Sequence, residues 1–304
     1  MPRTPHLLIA VAFAISCCYV ARADDREDSS ADSGLVEYEI KPSATDASIR
    51  HFDEPNLVVF DRSLTNTPQL VVFMPGTDGK PHNVLGLLRV VATQGYRAVG
   101  LEYNDAPAVV QVCPRKPPSC AGDFRRKRIY GDGVSAVVDN PAAESIVNRL
   151  TKLLLYLDQT HHGENWSDYL REGAPDWSRI VVSGLSQGAG MAAYIAQREP
   201  VARVVLFSSP WDFSLNPHSL APWIAGPSVT PPERWFAEYH RRENTAALIA
   251  QAYAVLHIPA DHIRVFDLDL PADRQHRSDN PYHGSTAHLP GYAPEWRILF
   301  GSPP

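Results

Sequence analysis

The chain is poor in the short motifs that announce metal or nucleotide chemistry. Its 304 residues contain no His-Glu-x-x-His, no cysteine cluster and no Gly-rich P-loop. The signatures of zincin-type hydrolysis and of P-loop phosphate binding are therefore missing, and no metal or other cofactor is expected. Positive charge is also in deficit, with 28 Lys and Arg against 34 Asp and Glu and a formal charge of −6. A nucleic-acid footprint needs a basic excess, so no nucleic-acid partner is expected. One basic run, Arg125-Arg126-Lys127-Arg128, reads as a solvated loop. No internal repeat is evident, and beyond residue 23 no apolar run is long enough for a membrane span.

Cysteine is scarce, and its four positions divide in two. Cys17 and Cys18 lie in "LLIAVAFAISCCYV" (7–20), an apolar stretch too short for a comfortable span, preceded by Arg3 and followed by Ala21-Arg22-Ala23. Small residues three and one positions before Asp24 fit a peptidase site. Residues 1–23 are thus expected to be a signal peptide, giving a secreted or periplasmic chain cut near Ala23. "AISC" is a poor lipoprotein box, since Ala14 stands where a larger aliphatic is wanted. Cys113 and Cys120 then remain as an even pair flanking the Pro-rich "PRKPPS". A disulfide is the expectation, because two ligands are too few for a zinc site.

Residues 24–34, "DDREDSSADSG", show no apolar periodicity and read as a disordered lead-in. Residues 35–304 are expected to form a single domain, and 44% hydrophobic residues support a large core. Eight short β-branched runs recur, at 35–40, 56–60, 69–74, 97–103, 179–184, 202–208, 234–240 and 262–270. The later ones are nearly continuous apolar runs, as in strands covered on both faces. Helical patterns fall at 83–95, 140–161 with Asn140 as N-cap, 187–199, 243–258 and 293–300. Strands alternating with helices predict a mostly parallel sheet with crossover connections. Residues 104–135 and 210–232 fit neither pattern and are expected as rim or lid loops at the carboxyl edge of the sheet.

At 184–188 the sequence is Gly184-Leu185-Ser186-Gln187-Gly188, between an apolar strand and a small-residue helix. A serine on so sharp a turn projects its Oγ clear of the sheet. Glycine two residues to either side relieves the crowding, and the first helical amide, that of Gln187, points to the reacting centre. This strand–turn–helix setting resembles the nucleophile elbow of the α/β-hydrolase superfamily, and the resemblance extends over most of residues 35–303. It implies the α/β-hydrolase fold, an eight-stranded sheet with helices on both faces and lid-like loops, and Ser186 as nucleophile. In that superfamily the turn after the third strand supplies a second oxyanion amide. Here the turn is Pro75-Gly76-Thr77-Asp78-Gly79; Thr77 is the implied donor, with Asp78 next in line. Pro75 stands where a His is common, which leaves a backbone donor untouched.

The order Ser, acid, His implied by the resemblance puts the base downstream. Of His262, His276, His283 and His288, His283 is preferred, because it sits in a turn between Pro281 and Gly284 ahead of the last helix. His262 starts a strand and reads as structural. Glu243 follows "RWFAEYH" by three residues and is the expected acid, with Asp212 of "SSPWDF" as the alternative; Asp267 and Asp269 fall too early. The implied activity is that of an exported serine hydrolase acting on a small-molecule or lipid-like ester. An acyltransferase or polyester depolymerase on the same triad is an alternative, for which Trp211, Trp223 and Trp235 would suit a bulky acyl chain. A non-catalytic binding module with this fold is another. The exported protein is predicted to begin at Asp24, and N-terminal sequencing that starts at Met1 would refute the signal assignment.

Overall fold

Eight apolar segments that pair side by side, each with side chains turned to two different layers, generate the architecture. The computed structural model describes Met1 and residues 34–64, 69–273, 275 and 278–303. Apart from Met1, the expected signal peptide lies outside the described residues, as does the lead-in through Ser33. The strands are β1 (Leu35–Ile40), β2 (Asn56–Asp61), β3 (Leu70–Met74), β4 (Arg97–Gly100), β5 (Ile180–Leu185), β6 (Arg203–Phe207), β7 (Trp235–His240) and β8 (Ile263–Phe266). They form one sheet in the order β1-β2-β4-β3-β5-β6-β7-β8. β2 pairs antiparallel with both β1 and β4, while the pairings from β4 through β8 are parallel.

Alternation along β2 and β3 shows why the centre of β2 and the whole of β3 are apolar. Val58, Phe60, Leu70, Val72 and Met74 join one core layer, whereas Leu57, Val59, Val71 and Phe73 join the other. Helices cover both faces: α1 (Leu85–Ala92), α2 (Cys120–Tyr130), α3 (Ile146–Thr160), α4 (Gln187–Arg198), α5 (Ala246–Val255) and α6 (Ala293–Phe300). The predicted stripe of α3, Ile146, Leu150, Leu153, Leu154 and Leu157, is buried throughout. At about 1.5–3 kcal/mol for each fully buried aliphatic side chain, that stripe is a principal anchor of its face. Among the described residues no helix is long and apolar enough to cross a membrane.

Three local expectations differ from the structure. The cap of α3 is Ser145, whose Oγ accepts the Asn148 amide at 3.1 Å, and Asn140 lies outside the helix. The basic run is no solvated loop: it lies in α2, where Arg125 and Arg128 are buried while Arg126 stays exposed. Ala121, Phe124, Arg125, Arg128 and Ile129 share one inward stripe at helical spacing, so the arginines interrupt the apolar pattern that would have marked the helix. The tryptophans form no open lid face, for Trp223 and Trp235 are buried and Trp211 is partly so.

Cys113 and Cys120 are disulfide-bonded, with Cα atoms 5.5 Å apart. The bridge ties the chain ahead of α2 to its first turn, and the enclosed Pro114 carbonyl accepts the Leu215 amide from the short hairpin Phe213–Leu215/His218–Leu220. Reduction is expected to cost about 2–3 kcal/mol at most, because the closed loop is short. Denaturant melts with and without reductant measure this, and two free thiols in non-reducing mass spectrometry would contradict it.

Candidate active site

Ser186 joins β5 to α4 at φ 53° and ψ −114°. That left-handed backbone is unfavourable for serine, by about 1–3 kcal/mol, and is held by its neighbours. The Ser186 amide donates to the Phe207 carbonyl at 2.9 Å, and the Ser186 carbonyl accepts the Gly190 amide at 3.1 Å. The flanking glycines are required sterically. A Cβ on Gly184 would stand 2.5 Å from the Gly188 carbonyl carbon, and one on Gly188 would collide with the Met74 carbonyl. Gln187 is the first residue of α4, and among the described residues its amide has no hydrogen-bond partner, as helix starts leave it.

The turn after β3 lies against this elbow: a Cβ on Gly76 would be 3.3 Å from the Leu185 carbonyl and from Ser186 Cβ. The turn closes through a Gly79 amide to Gly76 carbonyl bond of 2.9 Å, and Asp78 takes φ 57°. Tyr103 donates its hydroxyl to the Pro75 carbonyl at 2.9 Å and ties the exit of β4 to the turn. The Thr77 amide is likewise without a hydrogen-bond partner among the described residues. Two buried acids lie nearby. Burial pushes Glu102 up to about 7, against the pull of Lys80 3.4 Å away, and pushes Asp105 up to about 6.

The two acid candidates have different partners. Glu243 leaves β7 through a turn in which its amide donates to the His240 carbonyl at 3.0 Å. Its Oε1 accepts the Ser208 hydroxyl at 2.6 Å and the His240 amide at 2.8 Å, and its Oε2 stands 2.6 Å from His283 Nδ1. Asp212 instead accepts from Arg125 twice, at 2.5 and 2.6 Å, and from Trp223 Nε1 at 2.8 Å. Arg125 and Asp212 are only 1% and 2% exposed, and Arg125 also donates to the Gln187 carbonyl at 3.3 Å. Arg125 thereby ties α2 both to the start of α4 and, through Asp212, to the segment after β6. Asp267 and Asp269 pair with Arg241 and Arg242, so neither arginine is taken up by Glu243.

The other histidines have other surroundings. His262 stacks on Phe236 and places Nδ1 3.0 Å from the Trp235 carbonyl. His240 stacks on Tyr282, and burial lowers its pKa. His288 lies in the single helical turn Ser285–His288 after His283. His276 falls outside the described residues. No hydrogen bond joins Ser186 Oγ to His283 among the described residues. No three His, Cys, Asp or Glu side chains among those residues are grouped as metal ligands. Sequence reasoning passed over Arg125, hidden in the basic run, and Glu238, a single acid inside an apolar strand.

Strand order, the lone antiparallel β2 and the strand–serine–helix turn give this chain the α/β-hydrolase fold. No family model and no curated protein matches it. Among solved structures it is similar to an S-formylglutathione hydrolase from Agrobacterium tumefaciens, at 11% identity and a TM-score of 0.47, covering 88% of this chain and 95% of that one. It is also similar to a dienelactone hydrolase-like promiscuous phosphotriesterase from metagenomic libraries, at 11% identity and a TM-score of 0.44, covering 87% and 97%. At TM-scores below 0.5 these likenesses add nothing to the topology itself.

Asp212→Asn is expected to lower stability by about 3–5 kcal/mol, because it leaves the buried Arg125 cation without its counter-charge. Urea denaturation checks this. A variant as stable as wild type would show that the ion pair holds nothing in place.

Proposed function

We propose that this chain is an exported serine hydrolase that cleaves a carboxylic ester through an acyl-enzyme. Ser186 is the nucleophile, His283 the base and Glu243 the acid, with the Gln187 and Thr77 amides as oxyanion donors. The observation that carries the reading is the 2.6 Å contact between His283 Nδ1 and a buried Glu243 carboxylate whose other oxygen already has two donors. A carboxylate there holds the proton on Nδ1 and leaves Nε2 bare as the base.

In the first half-reaction Ser186 Oγ attacks the carbonyl carbon as its proton passes to His283 Nε2. The carbonyl π electrons move to oxygen, where the two amides meet the charge. Collapse breaks the bond to the leaving alkoxide, which takes the proton from Nε2. Water then repeats the sequence on the acyl group, giving the carboxylic acid and free Ser186. Glu243 stays ionised throughout and stabilises the imidazolium of each half-reaction.

A fluorophosphonate probe with intact-mass readout is expected to add one adduct, mapped to Ser186 and absent from Ser186→Ala. An unlabelled, folded wild-type protein would end the serine-hydrolase reading and favour a binding module. Glu243→Gln is expected to keep the fold by circular dichroism and to lose up to ~10⁴-fold in turnover of a short-chain aryl ester. Full activity in that variant would remove Glu243 from the triad.

A further inference from the structure

Glu238 sits inside β7, the strand that delivers Glu243, and is 0% exposed. Neither of its carboxyl oxygens makes a hydrogen bond, although the Thr286 hydroxyl and the Ser208 amide face them and offset part of the burial. An ionised carboxylate left bare at that depth costs more than a fold of ordinary stability can carry, so the group takes a proton instead. Burial raises its pKa well above the carboxylate range, and the charge of Glu243 raises it further. Its backbone has no freedom to find another partner, for its carbonyl accepts the Tyr253 hydroxyl at 2.8 Å and the Ser208 amide at 3.0 Å.

Two hydroxyls lie between the acids. Ser208 Oγ is 2.6 Å from Glu243 Oε1 and 3.2 Å from Thr286 Oγ1, and the Thr286 hydroxyl faces Glu238. An ionised carboxylate only accepts, so the single Ser208 proton is committed to Glu243. Ser208 Oγ then accepts from Thr286, and Thr286 Oγ1 is left with a lone pair for a donor. The competing place for the Thr286 proton is the His283 carbonyl, 3.3 Å away. The other titratable groups around Glu238 are Tyr253 of α5 and Tyr292, ahead of α6. Arg264, its register partner on β8, turns its guanidinium to Glu295 at 3.7 Å. The group facing Thr286 with a proton to give is Glu238.

We propose that Glu238 is a positioning residue, a proton-bearing carboxylic acid whose O–H heads a hydrogen-bond chain through Thr286 and Ser208 to Glu243. The proposal rests on the reading of Glu243 as the triad acid. The Glu238–Thr286 link is the one contact of the chain not already made. No proton is transferred along the chain: each hydroxyl keeps its own, and their alignment strengthens the last bond to Glu243. A carboxylic acid kept neutral by an apolar site, so that it can donate, is an established device. Here it holds Glu243 as the anion with Oε2 aimed at His283.

The test uses the full chain and three variants. A raised native pKa means that the folded protein keeps a proton which the unfolded chain gives up above about pH 4.5. Wild type should therefore lose stability relative to Glu238→Gln as pH rises, with the ratio of their unfolding constants changing about tenfold per pH unit up to the native pKa. At neutral pH the infrared spectrum of wild type should show a protonated carboxylic acid band that Glu238→Gln lacks and that Thr286→Val moves. Turnover should fall, and its pH profile shift, in Glu238→Leu and in the near-isosteric Thr286→Val, with Glu238→Gln rescuing the loss because its amide can donate to Thr286.

A pH-independent stability difference with no carboxylic acid band would show Glu238 ionised and overturn the proposal. A protonated Glu238 whose Leu variant, and Thr286→Val, keep wild-type turnover and pH profile would overturn it equally, because the chain would not reach the site. If Glu238→Leu does not fold, Thr286→Val alone decides that arm. The stability and infrared readings need no turnover, so failure of the serine-hydrolase reading, seen as an unlabelled Ser186, stays distinguishable.

Discussion

The site depends on one close approach of backbones, between the Met74 carbonyl at the end of β3 and Gly188 in the first turn of α4. There is no room for a side-chain carbon at Gly188, and Gly184 meets the same carbonyl from below, where a Cβ would stand 2.6 Å away. This contact sets the spacing between the Pro75–Thr77 turn and the helix start, the two sources of unpaired amides. It also accounts for the strain at Ser186. The residue is gripped by a bond to β6 on one side and by the α4 ladder on the other, so the sheet and helix fix a backbone conformation that serine would not adopt alone.

The buried acids Asp212, Glu243 and Glu238 are sorted by what faces them. Asp212 meets a guanidinium and an indole, and those donors use both its oxygens in bonds that fasten α2 and Trp223 to the segment after β6. Glu243 meets donors that carry no full positive charge on one oxygen and an imidazole on the other, which leaves Oε2 to orient a ring. Glu238 makes no hydrogen bond through either carboxyl oxygen. A cation beside Glu243 would compete for the oxygen that His283 uses. In the proposed triad, the absence of such a cation among the described residues is what separates an orienting carboxylate from a structural one, although both are buried.

The parts legible in the sequence are those whose cause is local. Each of the eight predicted runs holds a strand, because a strand covered on both faces must be apolar at nearly every position, and the glycine spacing around Ser186 reflects crowding within five residues. α2 was illegible because Arg125 and Arg128 occupy its inward face, where their partners, Asp212 and the carbonyls of Asn104 and Ala106, come from distant segments. Ser145 displaced Asn140 as the α3 cap because a single 3-10 turn intervenes, which the Asn-Pro signal does not encode. Glu238 differs again: one acid in "RWFAEYH" looks like an outward-facing strand residue until the register shows which layer it enters.

The histidine loop is anchored to the acid rather than to the serine. The Asn244 amide donates to Asn280 Oδ1 at 3.0 Å, Asn244 Nδ2 donates to the Asp279 carbonyl at 2.7 Å, and Arg242 donates to the Tyr282 hydroxyl at 3.0 Å. Tyr282 also stacks on His240, with ring centroids 4.4 Å apart. The proposed machinery thus consists of two preassembled halves. One carries Ser186 and the Gln187 and Thr77 amides at the ends of β3 and β5 and the start of α4; the other carries Glu243 at the exit of β7 and His283 on the loop after β8. In the proposed reaction, their separate anchoring leaves the approach of Ser186 Oγ to His283 as the contact for substrate closure to tighten, where hydrolytic sites commonly keep their slack.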